Sequence, residues 1–189
     1  PIRLVDFLDD HREGWRNEEL APHDSPTWFK QTVNALGEEV VTRINAAAVA
    51  NPVNLISLAL LATPKHTMDL QQLRQQLQLY INLLEQAPYS DTARLAETDP
   101  DTIIEYGLEH EFLIRVPHSL GDVVTTDPKT ALQMAYVRNN SLHLFVLPGL
   151  ICSLFLNARS IRLPMLQSMV ALLYPFFRNE YLLHWRQDD

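Results

Sequence analysis

The stretch TALQMAYVRNNSLHLFVLPGLICSLFLN, Thr130 to Asn157, decides how the chain is read, because it is the most apolar segment and still carries a polar block. From Leu142 to Leu156 almost every residue is hydrophobic. A helix apolar around its whole circumference belongs inside a larger helical body or in lipid. At helical spacing Tyr136, Asn139, Asn140 and His143 share one face, and Arg138 points away from it by about half a turn. A polar stripe on a buried helix needs partners, so these groups are expected to satisfy carbonyls at helix crossings or to hold an interface. The functional alternative is that Arg138 holds a phosphate or carboxylate, with Asn139, Asn140 and His143 as directional hydrogen bonders.

Working outward, Ser25-Pro26, Asn51-Pro52, Asp99-Pro100 and Asp127-Pro128 each place a capping side chain before a proline, which marks four helix starts. The first helix, Pro26 to about Val49, carries Phe29, Val33, Leu36, Val40, Ile44 and Ala47 as one apolar stripe. The second, Pro52 to Ala62, is apolar nearly all round and should be short and buried. The third begins near Thr67 to Asp69, turns Leu70, Leu73, Leu77, Tyr80, Ile81 and Leu84 inward, and is closed by Pro88. After a polar loop at 89–98 comes a brief helix from Pro100 to about Glu109. Glu111–Val116 and Asp122–Thr126 then read as a small hairpin. The long central helix follows, bent or broken at Pro148-Gly149, and a last helix runs from about Leu163 to Arg186 with Pro175 inside it. The fold class is mainly α, a bundle-like helical domain with one β-hairpin and a winged-helix outline. Residues 1–24 read as an extended linker from a preceding domain, and 25–189 as a helical accessory domain.

The chain has 189 residues, enough for a proper core. Its net charge of −8 repels phosphate backbones and argues against nucleic acid as a partner. The single cysteine, Cys152, excludes an internal disulfide and reads as a small buried hydrophobe. The first residue is proline, as expected of a piece cut from a longer polypeptide. No apolar run reaches the roughly 20 residues that span a bilayer.

Candidate chemical constellations are few. His184 to Asp189 matches His-x4-Asp, but at a frayed chain end. Glu109-His110-Glu111 could suggest metal ligands, yet consecutive residues entering a strand point to alternate sides, so a solvated turn is the ordinary reading. Thr63-Pro64-Lys65-His66-Thr67 between two helices, followed by a hairpin, outlines a winged helix-turn-helix. Its helix offers glutamines but only Arg74 as a base, which is poor equipment for reading DNA. No catalytic, cofactor or metal residue is expected, and a regulatory winged-helix module binding nucleic acid or protein is the alternative.

The segment Tyr136-Val-Arg138-Asn139-Asn140-Ser-Leu-His143-Leu-Phe145-Val-Leu-Pro148 resembles the Y-x-R-N-N-x-x-H segment of the bacterial membrane-associated glycerol-3-phosphate 1-O-acyltransferases. The likeness extends to VTRINAAAVANPVNLISLALLA (41–62), YINLLEQAPYS (80–90) and LLYPFFRNEYLLHWR (172–186), in the same order. The resemblance implies acyl transfer from acyl carrier protein (acyl-ACP) or coenzyme A (acyl-CoA), as co-substrate, to glycerol 3-phosphate, the first step of phospholipid synthesis. It places the parent enzyme at the cytoplasmic face of the inner membrane. The family's His-x4-Asp and glycerol-phosphate motifs lie in an upstream acyltransferase domain, and no residue here matches them. The expectation is therefore an inactive region whose partners are its own upstream acyltransferase domain and, for the parent enzyme, acyl carrier protein and the inner-membrane surface.

Overall fold

The computed structural model describes residues 2–11 and 25–185. The α-helices are α1 (Leu4–Leu8), α2 (Phe29–Ala46), α3 (Pro52–Leu60), α4 (Leu70–Gln86), α5 (Pro100–Glu109), α6 (Pro128–Asn139), α7 (Val146–Leu154) and α8 (Leu163–Tyr181). The strands are β1 (Val49–Ala50), β2 (Thr67–Asp69), β3 (Arg94–Leu95), β4 (Ile114–Val116) and β5 (Val123–Thr125). The mainly α reading therefore holds.

Three of the four proline-marked starts cap helices. Asn51 and Asn54 exchange side-chain-to-backbone bonds of 3.0 Å each at the start of α3. Asp99 accepts from Thr102 N at 2.8 Å above α5, and Asp127 from Lys129 N at 2.9 Å above α6. Each fills a donor the first turn leaves open, while the following proline has no N–H to satisfy. The fourth start is corrected: Ser25-Pro26 forms only a turn, and α2 begins at Phe29 without a side-chain cap.

The core is built by α3 to α6. Every residue of α3 from Val53 to Leu60 is buried, and α4 contributes Leu73, Leu77, Ile81 and Leu84. Ile103, Leu113, Val124 and Met134 complete the same cluster. The hairpin β4–β5 forms as read, and β2 joins it on the β5 side to give the antiparallel order β2-β5-β4. Strand β2, set between two helices and paired with the second hairpin strand, completes the winged-helix outline. Parallel pairing of β1 with β3 ties residues 49–50 to the 89–98 segment, which is thus more than a polar loop.

Several expectations are corrected. Residues 4–8 are helical rather than extended, with Arg3 and Asp6 ion-paired at 3.3 Å across the first turn. Most of the linker, 12–24, lies outside the described residues. The α2 stripe forms but buries nothing: Phe29 is 47%, Val33 48% and Ile44 64% exposed. The central helix breaks at Asn140-Ser141, not at Pro148. Ser141 N and Oγ both bond Arg138 O at 2.9 Å, pulling the chain out of the i→i−4 ladder and into a 3-10 turn at Leu142–Leu144. Pro148 instead sits in the first turn of α7, where its missing donor goes unused. Within the apolar run only His143, Leu144 and Leu150 are buried, and Cys152 is exposed rather than buried. The last helix stops at Tyr181 because Leu182 adopts a left-handed conformation, φ 48°. No helix among the described residues is long and apolar enough to cross a membrane.

Candidate functional site

The polar block does not form one buried stripe. His143 alone is buried, at 4% exposure, while Tyr136 is 76% exposed and Asn139 and Asn140 are also exposed. Asn139, Asn140 and His143 line an open cavity of about 710 Å³, where the C-terminal ends of α2, α6 and α8 meet. Arg138 lines a different cavity, together with Lys65 and His66. Arg138 still reaches the first set through Asn139, whose Oδ1 accepts from the Arg138 Nε at 3.4 Å and from its Nη2 at 3.2 Å.

Helix C-termini present carbonyls that lack partners inside their own helices. At this junction side chains supply the partners. Asn45, near the end of α2, donates its Nδ2 to Tyr181 O at 2.9 Å. Asn54 of α3 donates to Val137 O at 3.0 Å, so one amide both caps its own helix and anchors α6. Thr92 Oγ1 donates to Ala46 O at 2.7 Å, and Ser90 Oγ donates to the same oxygen. His143 Nε2 lies 3.1 Å from Asn45 O. A carbonyl can only accept, so the imidazole carries its proton on Nε2.

The His143 ring packs edge-on against Tyr89, with centroids 5.0 Å apart. Tyr89 is itself 2% exposed and contacts the rings of His184, at 4.5 Å, and Trp185, at 4.8 Å. His184 N donates to the Tyr89 hydroxyl at 3.2 Å, and Tyr174 OH donates to Trp185 O at 2.7 Å. These contacts fold residues 182–185 back onto the core. Burial pushes the His143 pKa below its usual value; the bond to Asn45 opposes the shift and the nearby His184 adds to it. Burial likewise raises the Tyr89 hydroxyl. A neutral imidazole whose N–H is committed to a main-chain carbonyl is a fastening, not a poised base.

The remaining candidates are placed as follows. The His110 ring lies tilted against Tyr106 with centroids 4.2 Å apart, and both Glu109 and Glu111 are exposed. Among the described residues no group of three His, Cys, Asp or Glu is arranged to hold a metal ion. His184 belongs to the Tyr89 cluster, and Asp189 lies outside the described residues. Arg74, the one base of the supposed reading helix, is bonded to Asp101 at 2.7 Å. Asn45, Asn54 and Tyr89 were not singled out from the sequence. Asn54 carried a signal in the Asn51-Pro52-Val53-Asn54 cap, whereas nothing local marks Asn45.

The protein-family model described as "Glycerol-3-phosphate acyltransferase C-terminal region" matches residues 1–189. Over all 189 residues the chain is 42% identical to a glycerol-3-phosphate acyltransferase of Pseudomonas entomophila (strain L48) and 38% identical to one of Pseudomonas fluorescens (strain Pf0-1). It is 40% identical to one of Pseudomonas putida (strain W619). In each case all of this chain is covered but only 23% of the relative, so the chain spans about a quarter of the length of these relatives. No solved structure matches it. A match running from the first residue to the last, with relatives that agree, means that the chain belongs to the glycerol-3-phosphate acyltransferase C-terminal region family.

Proposed function

We propose that this chain is the non-catalytic helical region of a glycerol-3-phosphate 1-O-acyltransferase, and that it packs on the acyltransferase domain. That domain would transfer an acyl chain from acyl carrier protein or coenzyme A to glycerol 3-phosphate, and this region would hold it in place. The observation that carries the reading is α2, a helix of 18 residues with none buried, beside a core that is complete without it. Uncovered Phe29, Val33 and Ile44 on one helix face are what a domain contact would cover. In the complete enzyme, Val33→Asp with Ile44→Asp should lower both activity and thermal stability, while the same pair leaves the melting of this chain alone nearly unchanged. A complete enzyme indifferent to both substitutions would remove the contact. The isolated chain should transfer no acyl group; turnover lost on His184→Ala would overturn the assignment.

Phospholipid synthesis at a membrane surface is supported by a second feature. From Pro128 to Asn179 the chain has five bases and no Asp or Glu, within a protein of net charge −8. In that span Leu156, Leu172 and Phe176 are 81%, 72% and 73% exposed, and Arg159 and Arg162 lie between α7 and α8. Apolar side chains beside unopposed bases suit an anionic lipid surface, whereas the α2 face has Glu38 and Glu39 beside it. The chain should float with vesicles containing phosphatidylglycerol and lose that binding on Leu172→Asp with Phe176→Asp; vesicle binding that ignores both changes would exclude this surface.

A further inference from the structure

We propose that the groove between α6 and the Pro64–His66 turn binds the phosphate monoester head of an amphiphile. The cavity measures about 570 Å³, within the size range of small-molecule sites. Helix α6 presents Ala131, Ala135 and Arg138 to it at spacings of four and three, one face of the helix, and the turn supplies Lys65 and His66. No acidic residue lines the groove, although the chain as a whole is acidic. The ion pairs formed among the described residues leave both Lys65 and Arg138 without a carboxylate, and Arg138 donates its Nε and Nη2 to the neutral Asn139 Oδ1 at 3.4 and 3.2 Å, long bonds that an anion can displace.

One buried polar atom among the groove's lining residues lacks a partner and another has only a weak one. His66 Nδ1 has no hydrogen-bond partner. Thr126 is 8% exposed, and its hydroxyl donates only to Met134 Sδ, at 3.6 Å, a weak acceptor. Buried polar groups are normally satisfied, so the exception at His66 points to a guest. The turn is also held in a costly shape: Lys65 and His66 both have positive φ, 57° and 51°. Thr67 Oγ1 donates to Lys65 O at 3.0 Å and Thr125 Oγ1 to His66 O at 3.2 Å, fixing that shape from the sheet.

The donor set is that of a phosphate site. A guanidinium fork can take two oxygens, an ammonium a third, and an Nδ1–H or hydroxyl can complete the shell. Leu61, Ala131, Leu132 and Ala135 give the rest of the lining an apolar character, and Leu132 is 76% exposed, so the guest carries a hydrocarbon part. The inference stands apart from the acyltransferase reading, since ligand binding to this chain and activity of the complete enzyme are separate measurements.

Titration calorimetry of the chain with dodecyl phosphate, below its micelle concentration, and with inorganic phosphate tests the proposal. Dodecyl phosphate should saturate one site and bind more tightly than inorganic phosphate. Lys65→Ala with Arg138→Ala should weaken both by at least ~30-fold, two charged donor groups being lost. Leu132→Ser, which removes apolar surface without adding charge, should weaken dodecyl phosphate alone. Thermal melting checks that the variants fold, and Lys65→Gln with Arg138→Gln replaces the alanine pair if it does not. Flotation with phosphatidate vesicles that shows the same residue dependence assigns the head group to a bilayer lipid, and binding of dodecyl phosphate alone assigns it to a free molecule. No saturation, saturation untouched by both double variants, or equal binding of dodecyl sulfate would overturn the proposal.

Discussion

Because burial depresses the His143 pKa, the folded chain resists a proton that the unfolded chain accepts once the pH falls below the ordinary histidine value of about 6.5. Stability from this residue is therefore present above that pH and is lost progressively as the pH falls from there towards the folded value. Thermal midpoints measured across a pH series should be level on the alkaline side and decline below about 6.5. His143→Gln can still donate to Asn45 O but cannot titrate, so its decline in that window should be shallower; an unchanged slope would mean another group is responsible. Asp99 and Asp127 act lower on the scale. Hydrogen bonds from Thr102 and Thr130 hold these caps below the usual carboxylate range, so their contribution persists above that range and fails as the pH drops through their folded values. At Asn54, 5% exposed, alanine would strand both Asn51 N and Val137 O, and chemical denaturation should register a loss of about 2 kcal/mol.

Glycines on two helices predict opposite outcomes for an added side chain. A Cβ at Gly37 of α2 would meet nothing within 4 Å, so Gly37→Ala should stabilise that helix by about 1 kcal/mol, read as slower amide exchange along α2. A Cβ at Gly107 of α5 would lie 2.7 Å from Ile56 Cδ1 and 2.8 Å from Leu113 Cδ1, both on buried side chains. Gly107→Val should cost about 2 kcal/mol or more in a denaturation curve, the overpacking outweighing any gain in helix propensity. The same contrast explains what was legible beforehand. Asx-Pro pairs announce α3, α5 and α6 because capping is a local interaction between neighbours in sequence. The α2 stripe was equally legible as apolar, but periodicity reports only that a face seeks cover, not that the cover lies within the chain. The break at Ser141 depended on one hydroxyl choosing Arg138 O, which composition does not encode. Arg138 parted from His143 for the same reason: a helix assumed continuous through residue 143 ends at Asn139.

At the scale of the molecule, burial divides the chain into a core that closes on itself and helices that do not. Leu55, Leu73, Leu77 and Ile81 are fully buried or nearly so, whereas α2 and α8 contain no buried residue. Few buried contacts mean cheap local opening, so amide exchange in the isolated chain should be slowest in α3 and α4 and much faster in α2 and α8. The two outer helices face different surroundings in the proposed enzyme, and exchange can tell them apart. Joined to the acyltransferase domain, α2 should gain protection without any membrane, because its cover is protein. Helix α8 should remain fast until vesicles containing phosphatidylglycerol are added, because its cover is lipid. Protection of both helices by the upstream domain alone would assign the whole apolar exterior to protein contact and withdraw the lipid surface. Protection of neither would leave the family's C-terminal region without the docking role that its uncovered helices imply.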